Sequence, residues 1–207
     1  MWPLGQYERL VFELKNREKK DIPVTFGLLI ADYHQQSCRE YILNYINRFD
    51  YKSGQYINFY LPGYLEKEWL NPDEKITINR KDFYFNRELY LKFLDKLEDD
   101  FKIEYPYNPI LILLEYFKGH FSTARRIIIE LNENGSDIKQ VGKVFDKIFE
   151  IANEKVSLAD FSKELMKDKL KESLLDYVIE GINNSYLTAI INKNKEVNKY
   201  KLKEVSA

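Results

Sequence analysis

An uncharged run, Val24-Thr-Phe-Gly-Leu-Leu-Ile-Ala31, passes through the polar turn Asp32–Ser37 into apolar residues at Cys38, Tyr41, Ile42, Tyr45, Ile46 and Phe49. The run does not alternate, so a strand built from it must be covered on both faces. That predicts an inner strand of a parallel or mixed sheet. The residues that follow recur at the spacing of one helix face. Ser37 with Glu40 three positions on predicts a capping box at the helix start. Ser53-Gly54 turns the chain into a second apolar stretch, Tyr56–Leu61, closed by Pro62-Gly63. Strand, helix and strand at this length make a βαβ crossover, which places the chain in the α/β class.

The flanking segments add elements around this unit. Upstream, Tyr7, Leu10, Val11 and Leu14 have helical spacing, while YERLVFEL also alternates as an edge strand does; both readings stand at this point. Residues 64–86 form an insertion in which Ile76–Ile78 and Phe83–Phe85 alternate as short strands around a charged turn. Asn86 is placed to cap a helix with Tyr90, Phe93, Leu94, Leu97 and Phe101 on its inner face. Pro106 and Pro109 then forbid helix. Ile110–Tyr116 and Arg126–Leu131 are strands, and their short link predicts an antiparallel pair. After the Asn134-Gly135 turn, a helix is expected with Ile138, Val141, Val144, Phe145, Ile148 and Phe149 facing inward.

Past Asn153 the pattern changes. Ser157-Leu-Ala-Asp160 resembles a capping box, and helical spacing continues through Phe161, Leu165, Leu170, Leu174, Val178 and Ile182. Gly181 and Asn183-Asn184 predict a break before a helix around Tyr186–Ile191. Lys193–Lys203 is expected to be a frayed, solvated tail. The expected organisation is therefore an α/β domain over 1–153 and a helical extension with a basic tail over 154–207. The apolar positions of 158–191 require burial, against the domain or against a partner protein.

Composition narrows the function classes. With 32 Lys plus Arg against 33 Asp plus Glu the net charge is −1, which gives no reason to expect nucleic acid or an anionic membrane as partner. The longest apolar runs, Phe26–Ala31 and Ile110–Leu114, fall far short of the ~20 residues of a membrane span. MWPLGQYERL has neither a basic nor an apolar leader region. A single cysteine excludes an internal disulfide, and the chain is expected in the reducing cytoplasm. Phosphate-cradling glycine motifs are absent.

The element order from Val24 to Asn153 resembles the thioredoxin-like fold, a βαβ half followed by a ββα half with a helix between. Gln35-Gln36-Ser37-Cys38 opens the first helix where that family keeps its Cys-x-x-Cys, with the second cysteine present and a glutamine in the first position. Asn108-Pro109 precedes Ile110-Leu-Ile-Leu-Leu114 where the family places a cis-proline, and Phe117-Lys-Gly119 matches its hairpin turn. The resemblance implies a mixed sheet with helices on both faces. Dithiol exchange needs an attacking thiolate and a resolving thiol. With Gln35 in the attacking position, the resemblance implies a non-redox member.

The residues to weigh are those beyond the first strand. Asp32 and His34 lie past its C-terminal end, the edge where open α/β sheets bind ligands. They are candidates for a general base, as Cys38 at a helix start is for a nucleophile. Cys38 also heads an apolar stripe and serves there as a small buried hydrophobe. A zinc or iron site needs one or two ligands beyond Asp32 and His34, so no metal and no cofactor are expected. In the resembled fold Tyr107 and Asn108 approach the turn, which makes them ligand-binding candidates with Gln35. The expectation is an interaction or sensor protein without dithiol chemistry, partnered through its C-terminal helices. The alternative is a hydrolase or transferase using Asp32, His34 and Cys38.

Overall fold

The computed structural model describes residues 2–19, 22–36, 38–39, 57–66, 72–78, 81–101, 109–122, 126–131, 150–151, 157–160, 180–181, 187–188 and 200–205. Trp2–Leu4 (β1) leads into a helix, Tyr7–Arg17 (α1), which buries Tyr7, Leu10 and Leu14. Those positions settle the ambiguity of YERLVFEL: only a helix brings residues three and four apart to one side. Val24–Ile30 (β2) is buried at every residue, as the lack of alternation requires. Asn58–Pro62 (β3) runs parallel to β2, with Phe26 opposite Asn58 and Leu28 opposite Tyr60.

β1 extends this parallel group, pairing with β3 from Trp2 opposite Tyr60 to Leu4 opposite Pro62. On the other side of β2 lies Ile110–Phe117 (β7), antiparallel over seven pairs from Val24–Tyr116 to Ile30–Ile110. Arg126–Leu131 (β9) continues antiparallel to β7. The turn between them contains Lys118 and Gly119, both at positive φ, and His120–Phe121 (β8) folds back onto the end of β7. The outcome is a mixed α/β sheet in the order β1-β3-β2-β7-β9, continued on β9 by Tyr200–Val205 (β12), with β8 beside β7.

Between β3 and the next helix, Tyr64–Leu65 (β4), Glu74–Ile78 (β5) and Lys81–Phe85 (β6) form a separate three-stranded sheet in the order β4-β6-β5. The alternation of the insertion is realised as the β5–β6 hairpin. Arg87–Phe101 (α2) buries Tyr90, Phe93, Leu97 and Phe101, with Leu94 partly buried against the core. Its N-terminus is held by Asn86, whose Oδ1 accepts the Leu89 N–H at 2.9 Å. Replacing Asn86 by alanine should cost about 1 kcal/mol in a denaturation experiment, the usual value for a lost N-cap.

α1 and α2 lie against one face of the main sheet. Phe121 contacts Tyr7, Phe26, Phe101 and Tyr116 with ring centroids 5.1–5.9 Å apart, which joins α1 and α2 to the face carrying Phe26. Leu158–Asp160 is helical and touches the other face, the Leu158 N–H donating to Glu115, which pairs with Thr25. On that face a Cβ on Gly27 would come within 2.4 Å of the Phe59 ring, so the glycine is what lets β2 and Phe59 approach. Among the described residues no helix is long and apolar enough to cross a membrane.

The C-terminal part differs from the helical extension and solvated tail expected there. Apart from Ser157–Asp160, its described residues are strands: Glu180–Gly181 (β10) pairs with Leu187–Thr188 (β11), and Tyr200–Val205 (β12) lies antiparallel on β9. Alternation in Tyr-Lys-Leu-Lys-Glu-Val suits a strand half exposed to water, and its lysines suit a solvated tail equally. The helices expected at Ile138–Phe149 and Phe161–Ile182 fall almost wholly outside the described residues, as does the stripe Tyr41–Phe49.

Candidate functional site

The C-terminal end of β2 is where the sequence placed Asp32, His34, Gln35 and Cys38, and the structure gathers the first three into one turn. Asp32 is buried, and its Oδ1 accepts the His34 N–H at 2.9 Å while its carbonyl accepts the Gln35 N–H at 3.0 Å. An aspartate accepting from the backbone two residues on is an Asx turn. Gln36, Cys38 and Arg39 are helical, and the Gln35 carbonyl accepts the Arg39 N–H at 2.9 Å, the first helical bond. Ser37 and Glu40, the expected capping box, lie outside the described residues.

The other oxygen of Asp32 meets a partner the sequence did not announce. Arg87, the first residue of α2, donates from Nε to Oδ2 at 3.2 Å; the aspartate side chain is 4% exposed and the arginine 52%. The Arg87 N–H in turn donates to Asp73 at 2.6 Å. The pair ties β2 to α2 across 55 positions of sequence, a connection with no local signal. Removing the cation leaves a buried carboxylate with only the His34 N–H on one oxygen and no charge partner on the other. Arg87→Leu should therefore cost about 2–3 kcal/mol, below the about 3–5 kcal/mol of fully buried pairs because half the arginine is in water. Asp32→Asn keeps the turn acceptor and should cost about 1 kcal/mol. Thermal unfolding of the two variants checks the order.

Phe85, at the end of β6, forms the floor of the turn. Its ring lies 6.2 Å from Tyr33, 5.4 Å from His34, 4.9 Å from Tyr64 and 5.7 Å from Tyr90. The Tyr64 hydroxyl donates to the Ala31 carbonyl at 3.2 Å. The insertion is thus packed against the end of β2. His34 is exposed above it, its ring edge-on to Phe85. Arg39 donates from Nε to the Tyr33 carbonyl at 3.2 Å and stacks over the Tyr33 ring at 5.2 Å. Burial pushes the Tyr33 hydroxyl's pKa up, against the opposing pull of Arg39.

Cys38 is fully buried, and its Sγ lies 3.5 Å from Oε1 of Gln35, the thiol donating. The sulfur therefore belongs to the core cluster that also holds Ala31 and Tyr33. Tyr107 and Asn108, and with them the Asn108–Pro109 bond, lie outside the described residues; Pro109 is buried beside Ile110, the partner of Ile30. His120 stands at the opposite end of β7 from that pair, remote from His34. Among the described residues no group of three His, Cys, Asp or Glu could hold a metal ion.

Chemically, the turn is an arrangement of positioned groups. Asp32 has one oxygen on a backbone N–H and the other on a guanidinium, so it orders the turn and anchors α2. Arg87, Asp73 and Phe85, which do this ordering, were not legible in advance; only the proximity of Arg87 to the Asn86 cap marked it as a helix start. Compared with known proteins, the chain matches no family model, no curated protein and no solved structure.

Proposed function

We propose that this chain is a non-redox member of the thioredoxin-like fold that acts by binding a partner protein. The fold reading is supported by the sheet: β2 and β3 are parallel with helical residues between them, β7 is antiparallel beside β2, and β9 returns antiparallel to β7. That is the arrangement a βαβ half joined to a ββα half requires, with α2 as the connecting helix.

The observation that carries the absence of thiol chemistry is the buried Cys38 Sγ against Oε1 of Gln35 at 3.5 Å. A catalytic thiol works as an accessible thiolate beside an electropositive group or a base. Here the sulfur is sealed, and an amide stands in the position of the attacking thiol. Asp32 likewise supports the turn through both oxygens, which favours binding over general-base work at this edge.

The test is turnover of a disulfide substrate such as insulin in the presence of dithiothreitol. The full chain should reduce it no faster than its Cys38→Ala variant or buffer alone. Turnover that disappears with Cys38 would overturn the reading. So would an activity abolished by exchanging Asp32 and His34 together in a chain that keeps its folded spectrum.

A further inference from the structure

Among the described residues the main sheet ends on a strand brought from far along the chain. β12 lies on β9 with six residues in register, from Tyr200 opposite Leu131 to Val205 opposite Arg126. Without it the sheet would end on Arg126-Ile-Ile-Ile-Glu-Leu131. Such an edge presents a row of N–H and C=O groups on a β-branched run, a template for another strand. β12 covers that edge and carries Lys201 and Lys203, residues that discourage further pairing at an outermost strand.

We propose that the β9 edge is a self-association surface, kept covered by the chain's own C-terminal strand, and that its alternative occupant is β9 of a second copy. β9 carries its own complement. Set antiparallel to itself about Ile128, it brings Arg126 of each copy opposite Glu130 of the other, and Ile127 opposite Ile129. Opposite charges and β-branched residues directly across from one another are favourable cross-strand pairs. A two-fold axis through Ile128 closes the assembly as a dimer.

β12 meets only part of this pattern. It sets Lys201 opposite Glu130 but Val205 opposite Arg126. The Arg126 guanidinium donates to the Phe101 carbonyl, and its buried Nε has no hydrogen-bond partner among the described residues. Self-pairing places a carboxylate opposite that arginine. The chain's own strand holds the edge because it is tethered, which gives it a high effective concentration.

Sedimentation of the full chain and its variants tests this. Lys201→Glu sets a like charge opposite Glu130 and loosens β12 without touching the backbone. Leu202→Pro and Lys203→Pro are adjacent, and successive N–H groups of a strand point to opposite edges, so one of them removes a bond to β9. The native chain should be monomeric. Lys201→Glu and one proline variant should dimerise about tenfold more tightly or better. In that proline background Glu130→Arg should abolish the dimer, and Arg126→Glu with Glu130→Arg should restore it.

Folded variants that all stay monomeric, or dimers indifferent to Glu130→Arg, would overturn the proposal. If the proline variants lose their far-UV spectrum, Lys201→Glu decides. Its dimer must return to monomer mass when a peptide covering residues 198–207 is added in excess, and a dimer that persists counts against the proposal.

Discussion

Replacing Phe26 by alanine should cost about 3–5 kcal/mol of stability, the range for truncating a fully buried phenylalanine. Phe26 is 0% exposed on β2, between Asn58 of β3 and Leu114 of β7. Its ring also reaches Tyr60 at 6.4 Å and Phe121 at 5.9 Å, so it touches both sheet halves and the cluster beneath α1 and α2. Rigid strands on either side leave little room for collapse into the cavity, which puts the cost in the upper part of the range. With a urea slope of about 2–3 kcal/mol/M, the midpoint should fall by roughly 1–2.5 M with the slope unchanged. Phe12, on the water side of α1 and 63% exposed, is the control. Its truncation should stay within about 0.5 kcal/mol.

Gly63→Ala should be nearly as damaging, for a different reason. Gly63 has φ +80, and a Cβ there would lie 2.6 Å from the Tyr90 Cβ and 3.1 Å from the Tyr90 Cα. The neighbour is the root of a helical residue, which cannot swing away. Its N–H donates to the Leu4 carbonyl and its carbonyl accepts the Asn86 N–H, both at 2.9 Å. One residue therefore links β1, the end of β3 and the start of α2. The left-handed backbone costs an alanine about 1–2 kcal/mol, and the collision adds about 1–3 kcal/mol, giving about 3 kcal/mol in all. Gly119 separates the two contributions: it has φ +81 and, its chain neighbours aside, no atom of the described residues within 4 Å of its Cβ position. Gly119→Ala should show the backbone cost alone, read from the same urea titration.

Local pattern carried the elements whose partners are near or whose burial is symmetrical. β2 was readable because a strand covered on both faces cannot alternate, and α2 because Asn86 and the Tyr90, Phe93, Leu97, Phe101 spacing agree. The antiparallel β7–β9 pair followed from a connection too short for a crossover. β1 was not readable: three residues, Trp2–Leu4, become a strand only because β3 offers them a parallel edge. β12 was hidden for a related reason, since its lysines suit an outer strand and a solvated tail equally. At the site, the Asp32 turn and the placement of Cys38 at a helix start are local and could be read. The Arg87–Asp32 pair and the Phe85 floor come from an insertion folding back on the end of β2, and nothing within a few residues of either announces them.

The turn that invites a chemical reading is thus held as structure: Asp32 fixes His34 and Arg87, and Cys38 is closed into the core behind Gln35. Alkylation of Cys38 in the native full chain tests this most directly. With iodoacetamide, the native thiol should react about a hundredfold or more slowly than in denaturant, because modification must await an opening that costs near 3 kcal/mol or above. Native Cys38 reacting as fast as the unfolded chain, and doing so below neutral pH where an ordinary thiol is protonated, would mark an exposed thiolate and contradict the account.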